Sequence, residues 1–353
     1  METNKLRIAV AGAGQIGWRH LQLLASSELA GQVSIAAVVE PAGRRADATA
    51  PQVPWYQDIA TMLKEERPDG VILATPNAAH APGAIACIES GIPVLVEKPV
   101  ADTPQAACAI VAASEKHGVP VLVGHHRRHN PLIEAARQLV SAGKLGRVTA
   151  ISGQCLLRKP DDYFEMEWRR LPGGGPVLIN LIHDVDDLRY ICGPSCGEIE
   201  AVQAFTANPI RGYAVEESAA INLRFANQAL ATFTVSDAAA APWSWELTAR
   251  ENPFYPPTPE NCYLIAGTEG ALAVPQMLHW HYAPGAPRHW GSTMQAQRIA
   301  YEARDPLLAQ LEHFCAVIRR QAQPRVSAQD ALKTLEVIAA VGHAAREGRT
   351  VTL

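Results

Sequence analysis

Two places in the chain bring together residues able to move protons. Residues 94–99, VLVEKP, end a short apolar run in a carboxylate, an ammonium group and a proline: Glu97, Lys98 and Pro99. Farther on, Asn180, His183, Asp184 and Asp187 stand at i, i+3, i+4 and i+7, the spacing that gathers side chains on one helix face. A histidine titrates near neutrality and a neighbouring carboxylate can orient it, so His183 suits a proton acceptor. A lysine held near apolar residues and other cations can act as acid or base, and its charge can stabilise a developing alkoxide. The plain alternatives are a surface Glu-Lys pair before a loop and a solvated helix face with an incidental histidine.

A third constellation is a phosphate cradle. GAGQIG, with Gly12, Gly14, Gln15, Ile16 and Gly17, follows the apolar run LRIAVA and precedes a helical pattern at Ile16, His20, Leu21 and Leu24. Strand, glycine turn and helix in that order aim helix N-terminal amides at a pyrophosphate. A second apolar run, 33–39, ends at Glu40, whose carboxylate can accept from both ribose hydroxyls of the adenosine and repel a 2'-phosphate, which favours NAD. Arg44 and Arg45 follow closely and could pair with a 2'-phosphate, which keeps NADP open. A third run, VILA at 71–74, leads to Thr75, Pro76, Asn77 and His80; Asn77 could reach a ribose or the nicotinamide amide, or only cap a helix.

After a further apolar run at 119–124 come His125, His126, Arg127, Arg128 and His129. Two arginines among three histidines would repel a metal ion and the spacing fits no usual ligand set, so no metal is expected. The segment reads as a positively polarised wall facing phosphates or an oxygen-rich substrate, or as an exposed basic turn.

These residues need elements to hold them. Apolar runs alternating with helical patterns in the first third predict a doubly wound parallel sheet, in which ligands bind at the carboxyl ends of the strands. After Leu145 the pattern changes to short alternating runs at 148–155, 199–205, 219–225, 229–235, 245–249, 263–265 and 271–274. They predict an antiparallel sheet with helices on one face. The other face needs a cover, so a homodimer or homotetramer built sheet against sheet is expected. The expected domains are a doubly wound dinucleotide-binding domain at 1–124 and an α+β domain at 125–353. A length of 353 residues agrees with two cores.

A net charge of -4 argues against a general nucleic-acid or anionic-membrane surface. Seven scattered cysteines suggest reduced thiols, and neither a leader pattern nor a spanning apolar run is visible, so a soluble, cytoplasmic protein acting on a small molecule is expected.

Taken together, GAGQIG, ATPNAAH (74–80), VEKP (96–99), WRR before GGG (168–175), the His183 helix with Asp186 and Gly193, and GTEGAL (267–272) resemble the Gfo/Idh/MocA oxidoreductases, the glucose-fructose oxidoreductase and inositol dehydrogenase family. The resemblance implies an N-terminal Rossmann fold at 1–124 and an open, mostly antiparallel sheet in the second domain. It also implies reversible oxidation of a secondary alcohol on a sugar or cyclic polyol, and the basic 125–129 segment with Arg158 and Lys159 adds the alternative of a sugar-acid-like substrate that carries a carboxylate. It places Lys98 between nicotinamide and substrate, gives His183 a part in proton transfer, and implies a cis Lys98-Pro99 bond. Arg127, Arg128, Trp168 and Asp187 would contact substrate.

Two departures stand out. Ile179 occupies the position where the family usually has an Asp four residues before the His, so Asn180 or Asp184 would orient His183. His126 and His129 replace a more usual Asn and aromatic. Two other classes share the fold, a non-redox dinucleotide sensor and an enzyme that recycles tightly bound NAD within each turnover.

Overall fold

The computed structural model describes residues 5–44 and 50–353; residues 1–4 and Arg45, both invoked above, lie outside them. The chain forms two compact units, Met1–His129 with Asp305–Leu335, and Asn130–Arg304 with Glu336–Leu353.

The first unit is built on six parallel strands, β1 (Leu6–Ala11), β2 (Val33–Val39), β3 (Trp55–Tyr56), β4 (Gly70–Leu73), β5 (Val94–Val96) and β6 (Val121–Val123), in the order 3-2-1-4-5-6. Every residue of β4, β5 and β6 is buried, which is why they read as unbroken apolar runs. The helices α1 (Gln15–Leu24), α2 (Ile59–Glu66), α3 (His80–Glu89) and α4 (Pro104–His117) connect them. Local chemistry sets their ends. Asp58 and Thr103 accept hydrogen bonds from Thr61 and Ala106 amides, Pro104 fills the first turn of α4, and Gly118, with φ +64°, closes it. This order puts the reversal between β1 and β4, and Gly12, Ala74, Glu97 and Gly124 directly follow the carboxyl ends of β1, β4, β5 and β6.

Residues 305–335 pack with this unit, whereas the sequence reading put them in the second domain. Val123 N–H donates to Val326 O at 2.9 Å, and the helix Pro306–Ile318 lies so close to β4 that a Cβ on Gly70 would come within 2.6 Å of Ile318 Cδ1. The first unit also runs on past Gly124 to His129. A return of this kind leaves no local period to read.

The second unit contains nine strands: β7 (Val148–Leu156), β8 (Ile199–Ala207), β9 (Ser218–Phe225), β10 (Leu230–Ser236), β11 (Tyr263–Gly267), β12 (Gly270–Val274), β13 (Leu278–Tyr282), β14 (Met294–Arg298) and β15 (Val351–Thr352). Their order is 14-13-12-11-7-10-9-8-15, antiparallel except for the β7–β10 pair. Strict alternation along β9 buries Ala219, Ile221, Leu223 and Phe225 against α5 (Pro131–Ser141), α6 (Ile182–Cys196) and residues 337–344. The opposite face leaves Phe205, Leu230, Leu264 and Trp280 exposed.

One expected strand is a helix. Ser244 accepts the Leu247 amide and starts a single helical segment, Trp245–Thr248, because the buried Trp245 ring stacks on Tyr263 with centroids 6.0 Å apart rather than joining a ladder. The β13–β14 hairpin, the helix Pro306–Ile318 and α5 have no counterpart in the sequence reading.

In the β7–β10 pair, Gly153 stands directly opposite Phe233. A Cβ on Gly153 would sit 1.9 Å from Phe233 Cε2. Gly153→Ala should therefore destabilise the protein by about 1–3 kcal/mol, measured by urea denaturation; an unchanged midpoint would show that Phe233 has room to move.

Candidate active site

In the first unit the glycine turn divides its work among three positions. A Cβ on Gly12, whose φ is +91°, would lie 2.4 Å from Ala74 O, and one on Gly17 would lie 1.9 Å from Gly12 O. Both glycines let backbone pack on backbone. Gly14 caps α1 and a Cβ there would meet nothing within 4 Å, so the α1 amides open on free space. Glu40 folds back onto this turn, accepting the Ala13 amide at 2.8 Å and the Ala42 amide at 3.3 Å. Arg44 is exposed. Across the turn, Thr75 Oγ1 is buried with no hydrogen-bond partner among the described residues, while Pro76 and Asn77 begin a short turn into α3. A backbone cradle, an acidic group after β2 and an orphaned hydroxyl together fit a dinucleotide.

Glu97 is 6% exposed at the end of β5. Its Oε1 lies 2.8 Å from His20 Nε2, and its Oε2 accepts the Lys98 amide at 3.2 Å. Burial by itself would raise the carboxyl's pKa. The His20 hydrogen bond and the charges of His20, His126 and Lys98 outweigh burial and hold it below the usual carboxylate range. Gly124 makes room, since a Cβ there would touch Glu97 Oε2 at 2.9 Å. Lys98 itself is half-buried and its bond to Pro99 is cis, as the resemblance implies. His20 was read only as part of the α1 apolar stripe, and nothing in its spacing marks it as the partner of Glu97.

His80 faces inward. Its ring nitrogens lie 2.7 Å from Pro99 O and 2.9 Å from Thr75 O, so it ties the loop after β4 to the loop after β5. Burial lowers its pKa against the raising effect of the two carbonyls. Any effect on a cofactor runs through those two loops.

The segment 125–129 is not an exposed basic turn. His125, Arg127, Arg128 and His129 are each at most 6% exposed. Arg128 pairs with Asp330, and Arg325 Nη1 donates to Arg128 O at 2.9 Å, so the Arg128 charge is met inside the unit. The His129 ring sits 5.1 Å from that of His313. Burial, followed by the charges of Arg325, His313, His126 and Arg128, pushes the His129 pKa down to about 2.

In the second unit, His183 follows a π-helical turn, Val177–Leu181, that carries Asn180 and runs into α6. The solvated face allowed by the spacing is absent: His183, Asp184, Asp186 and Asp187 are all buried. The Tyr263 hydroxyl meets the carboxylates of Asp184 and Asp187, the latter at 3.0 Å. Asp187 is thus turned to the interior. Asn180 is half-buried and its Oδ1 has no hydrogen-bond partner among the described residues. Trp168, 45% exposed, sits on a short turn where a Cβ on Gly174 would strike its carbonyl at 2.4 Å.

Two groups here escaped the sequence reading because their partners lie far along the chain. Glu216 accepts the Val177 amide at 3.2 Å, capping the turn that leads to His183, and burial raises its carboxyl pKa. Beyond β7 and β10, Asp237 receives Lys159 Nζ at 3.2 Å and Arg211 Nη1 at 2.6 Å. Among the described residues no group of three or more His, Cys, Asp or Glu could hold a metal ion, and no helix is long and apolar enough to cross a membrane. No disulfide joins any of the seven cysteines.

Residues 6–125 match the family model described as the oxidoreductase family, NAD-binding Rossmann fold, and residues 133–273 match the GFO/IDH/MocA C-terminal domain. The rhizopine catabolism protein MocA of Rhizobium meliloti is 30% identical over 190 residues, 54% of this chain and 58% of that protein. The scyllo-inositol 2-dehydrogenase (NAD(+)) of Bacillus subtilis is 25% identical over 359 residues, 99% of this chain and 97% of that protein. The WlbA dehydrogenase of Chromobacterium violaceum, solved with NADH and UDP-GlcNAcA, superposes with a TM-score of 0.78 at 23% identity, covering 100% of this chain and 97% of that one.

His129, His80 and His313 all have folded pKa values below that of a free imidazole, so the fold disfavours the charged form of each and unfolding at acid pH takes up protons. Their burden is absent above about pH 7 and grows as pH falls below about 6.5. Stability should accordingly drop between about pH 6.5 and pH 5, and His129→Gln should flatten that slope by about 1.4 kcal/mol per pH unit, read from denaturant melts. Parallel slopes in parent and variant would contradict the neutral, buried state.

Proposed function

The chain belongs to the GFO/IDH/MocA oxidoreductase family, with an NAD-binding Rossmann fold, and on that premise we propose that it is an NAD-dependent dehydrogenase of a secondary alcohol on a sugar, cyclic polyol or sugar-acid-like substrate. The observation that carries this reading is Lys98, half-buried two residues past the end of β5 on a backbone fastened by the ionised Glu97. The similarity to a scyllo-inositol dehydrogenase over 99% of the chain supports the substrate class.

When bound, NAD supplies the hydride-accepting ring. The Gly12–Gly17 turn and the first amides of α1 would hold its pyrophosphate, Glu40 would accept from the adenosine ribose, and Thr75 and Asn77 would serve the nicotinamide half. The Glu40 carboxylate, close to the Ala13 amide, disfavours a 2'-phosphate and so NADP. Lys98 in its ammonium form donates to the substrate oxygen and stabilises negative charge there, and the hydroxyl proton leaves through His183, or through Lys98 where that amine is neutral, as the carbonyl forms. Asn180, one helical turn before His183, or Asp184 orients the His183 ring, and Trp168 offers an apolar wall to the substrate.

We further propose a homo-oligomer through the open face of the second sheet, where Phe205, Leu230, Leu264 and Trp280 lie among mostly small or neutral neighbours. Light scattering at about micromolar concentration should give a dimer or tetramer that Leu264→Lys with Trp280→Lys weakens; a monomeric parent would refute the proposal. Replacing Lys98 by Met should lower turnover by about a hundredfold or more while NADH still binds by fluorescence titration. Near parental turnover in Lys98→Met would remove Lys98 from the chemistry.

A further inference from the structure

The second unit holds a cavity of about 790 Å³ that none of the residues proposed for catalysis lines. It lies under the β13–β14 hairpin, and its size falls within the range of small-molecule sites. Its composition is unusual for the inner side of a sheet. His279 and His281 pair in register with Leu272 and Gly270, on the side where Leu272 is core, and Trp280 between them turns to the exposed face. Their rings stack with centroids 5.0 Å apart and planes at 28°.

Gly270 creates the space. A Cβ there would lie 3.2 Å from His279 Nε2 and 2.5 Å from Trp280 O, so any other residue would press on the imidazole. The backbone sets the tautomers as well. A carbonyl only accepts, so His279 Nε2 donates to Lys144 O at 3.3 Å and His281 Nδ1 donates to Tyr282 O at 3.1 Å. The other nitrogen of each ring is left for a ligand or a second proton. His279 is 8% exposed, and its pKa is lowered first by burial and then by the charges of His281 and Lys144, against the raising effect of the Lys144 carbonyl.

Charge and shape then define the guest. The charged side chains lining the cavity are Lys144, Arg288 and Glu269, and Glu269 is already paired with Arg288 at 3.0 Å, so the lining has an excess of one cation beside two imidazoles. Leu139, Pro284 and Ile299 supply apolar wall. We propose that this cavity is a second ligand site, which takes a small organic carboxylate whose apolar body packs on Leu139 and Ile299 and whose anionic end faces His279, His281 and Lys144. An anion seated there favours the protonated imidazoles, so binding takes up protons and tightens toward acid pH. Tyr282 is the remaining titratable group lining the cavity, and its hydroxyl donates to His289 O at 3.5 Å.

The test is a titration of the full chain, without NAD, with benzoate as the probe, following the imidazole nitrogens of the twelve histidines by NMR after labelling. Benzoate should shift two of the twelve imidazole pairs, the two lost in His279→Gln and His281→Gln, with at least tenfold tighter binding at pH 6 than at pH 8. Lys144→Gln with Arg288→Gln, both at exposed or half-exposed positions, should weaken it at least tenfold without loss of fold. Shifts at no histidine, or binding unchanged in that double variant, would overturn the site. Equal binding of benzyl alcohol would overturn its anion character, and equal binding of inorganic phosphate would overturn the apolar part. None of these readouts depends on dehydrogenase activity, so the failure of one reading leaves the other standing.

Discussion

A carboxylate with almost no access to water governs the first unit. Glu97 stays ionised because His20, the Lys98 amide and the neighbouring positive charges replace the solvation it loses. Removing one partner of such a buried group costs about 3–5 kcal/mol, so the arrangement tolerates little slack. His20 belongs to the helix that begins at the glycine turn, and Lys98 is the residue after Glu97. The same interaction therefore ties the pyrophosphate cradle to the ammonium group expected to meet substrate. His80 adds a second tie, joining the Thr75 and Pro99 carbonyls, so three strand ends share one rigid frame.

The second unit solves a similar problem with different groups. The His183 helix is buried on every side from Ile182 to Arg189, and its polar residues there need partners inside the protein. Tyr263, from the sheet, serves Asp184 and Asp187 together, and Glu216 caps the turn that leads into the helix. The π-helical turn and the cap together set where His183 enters the helix, which the proposed part in proton transfer would require of its scaffold. Asp184 meets Tyr263 through its Oδ1, and the Asn180 Oδ1 has no hydrogen-bond partner among the described residues, so neither spacing nor contact singles out one of the two as the orienter of His183.

The open face of the sheet and the cavity beneath the β13–β14 hairpin show how a single strand can serve two purposes. Alternation along β13 sends Trp280 one way and His279 and His281 the other. A change of one residue in register would exchange the two surfaces, so the hairpin's pairing decides which side is apolar and which can bind an anion.

The parallel sheet, the glycine turn, the acidic end of β2 and the Lys98 motif were legible in the amino-acid order, because each depends on neighbours within a few residues. A continuous apolar run is a strand buried on both faces, and three glycines at set spacing allow one kind of turn. The His183 spacing likewise showed which residues share a face, but a period cannot say whether protein or water covers that face; burial of Asp184 and Asp187 against Tyr263 was decided only in the folded chain. The same holds for His20 beneath Glu97, for Arg128 neutralised by Asp330, for the return of residues 305–335 to the first unit, and for Trp245, which stacks on Tyr263 rather than extending as a strand. Each of these joins residues far apart in the chain, and which distant groups meet depends on how whole elements pack, which local order does not encode.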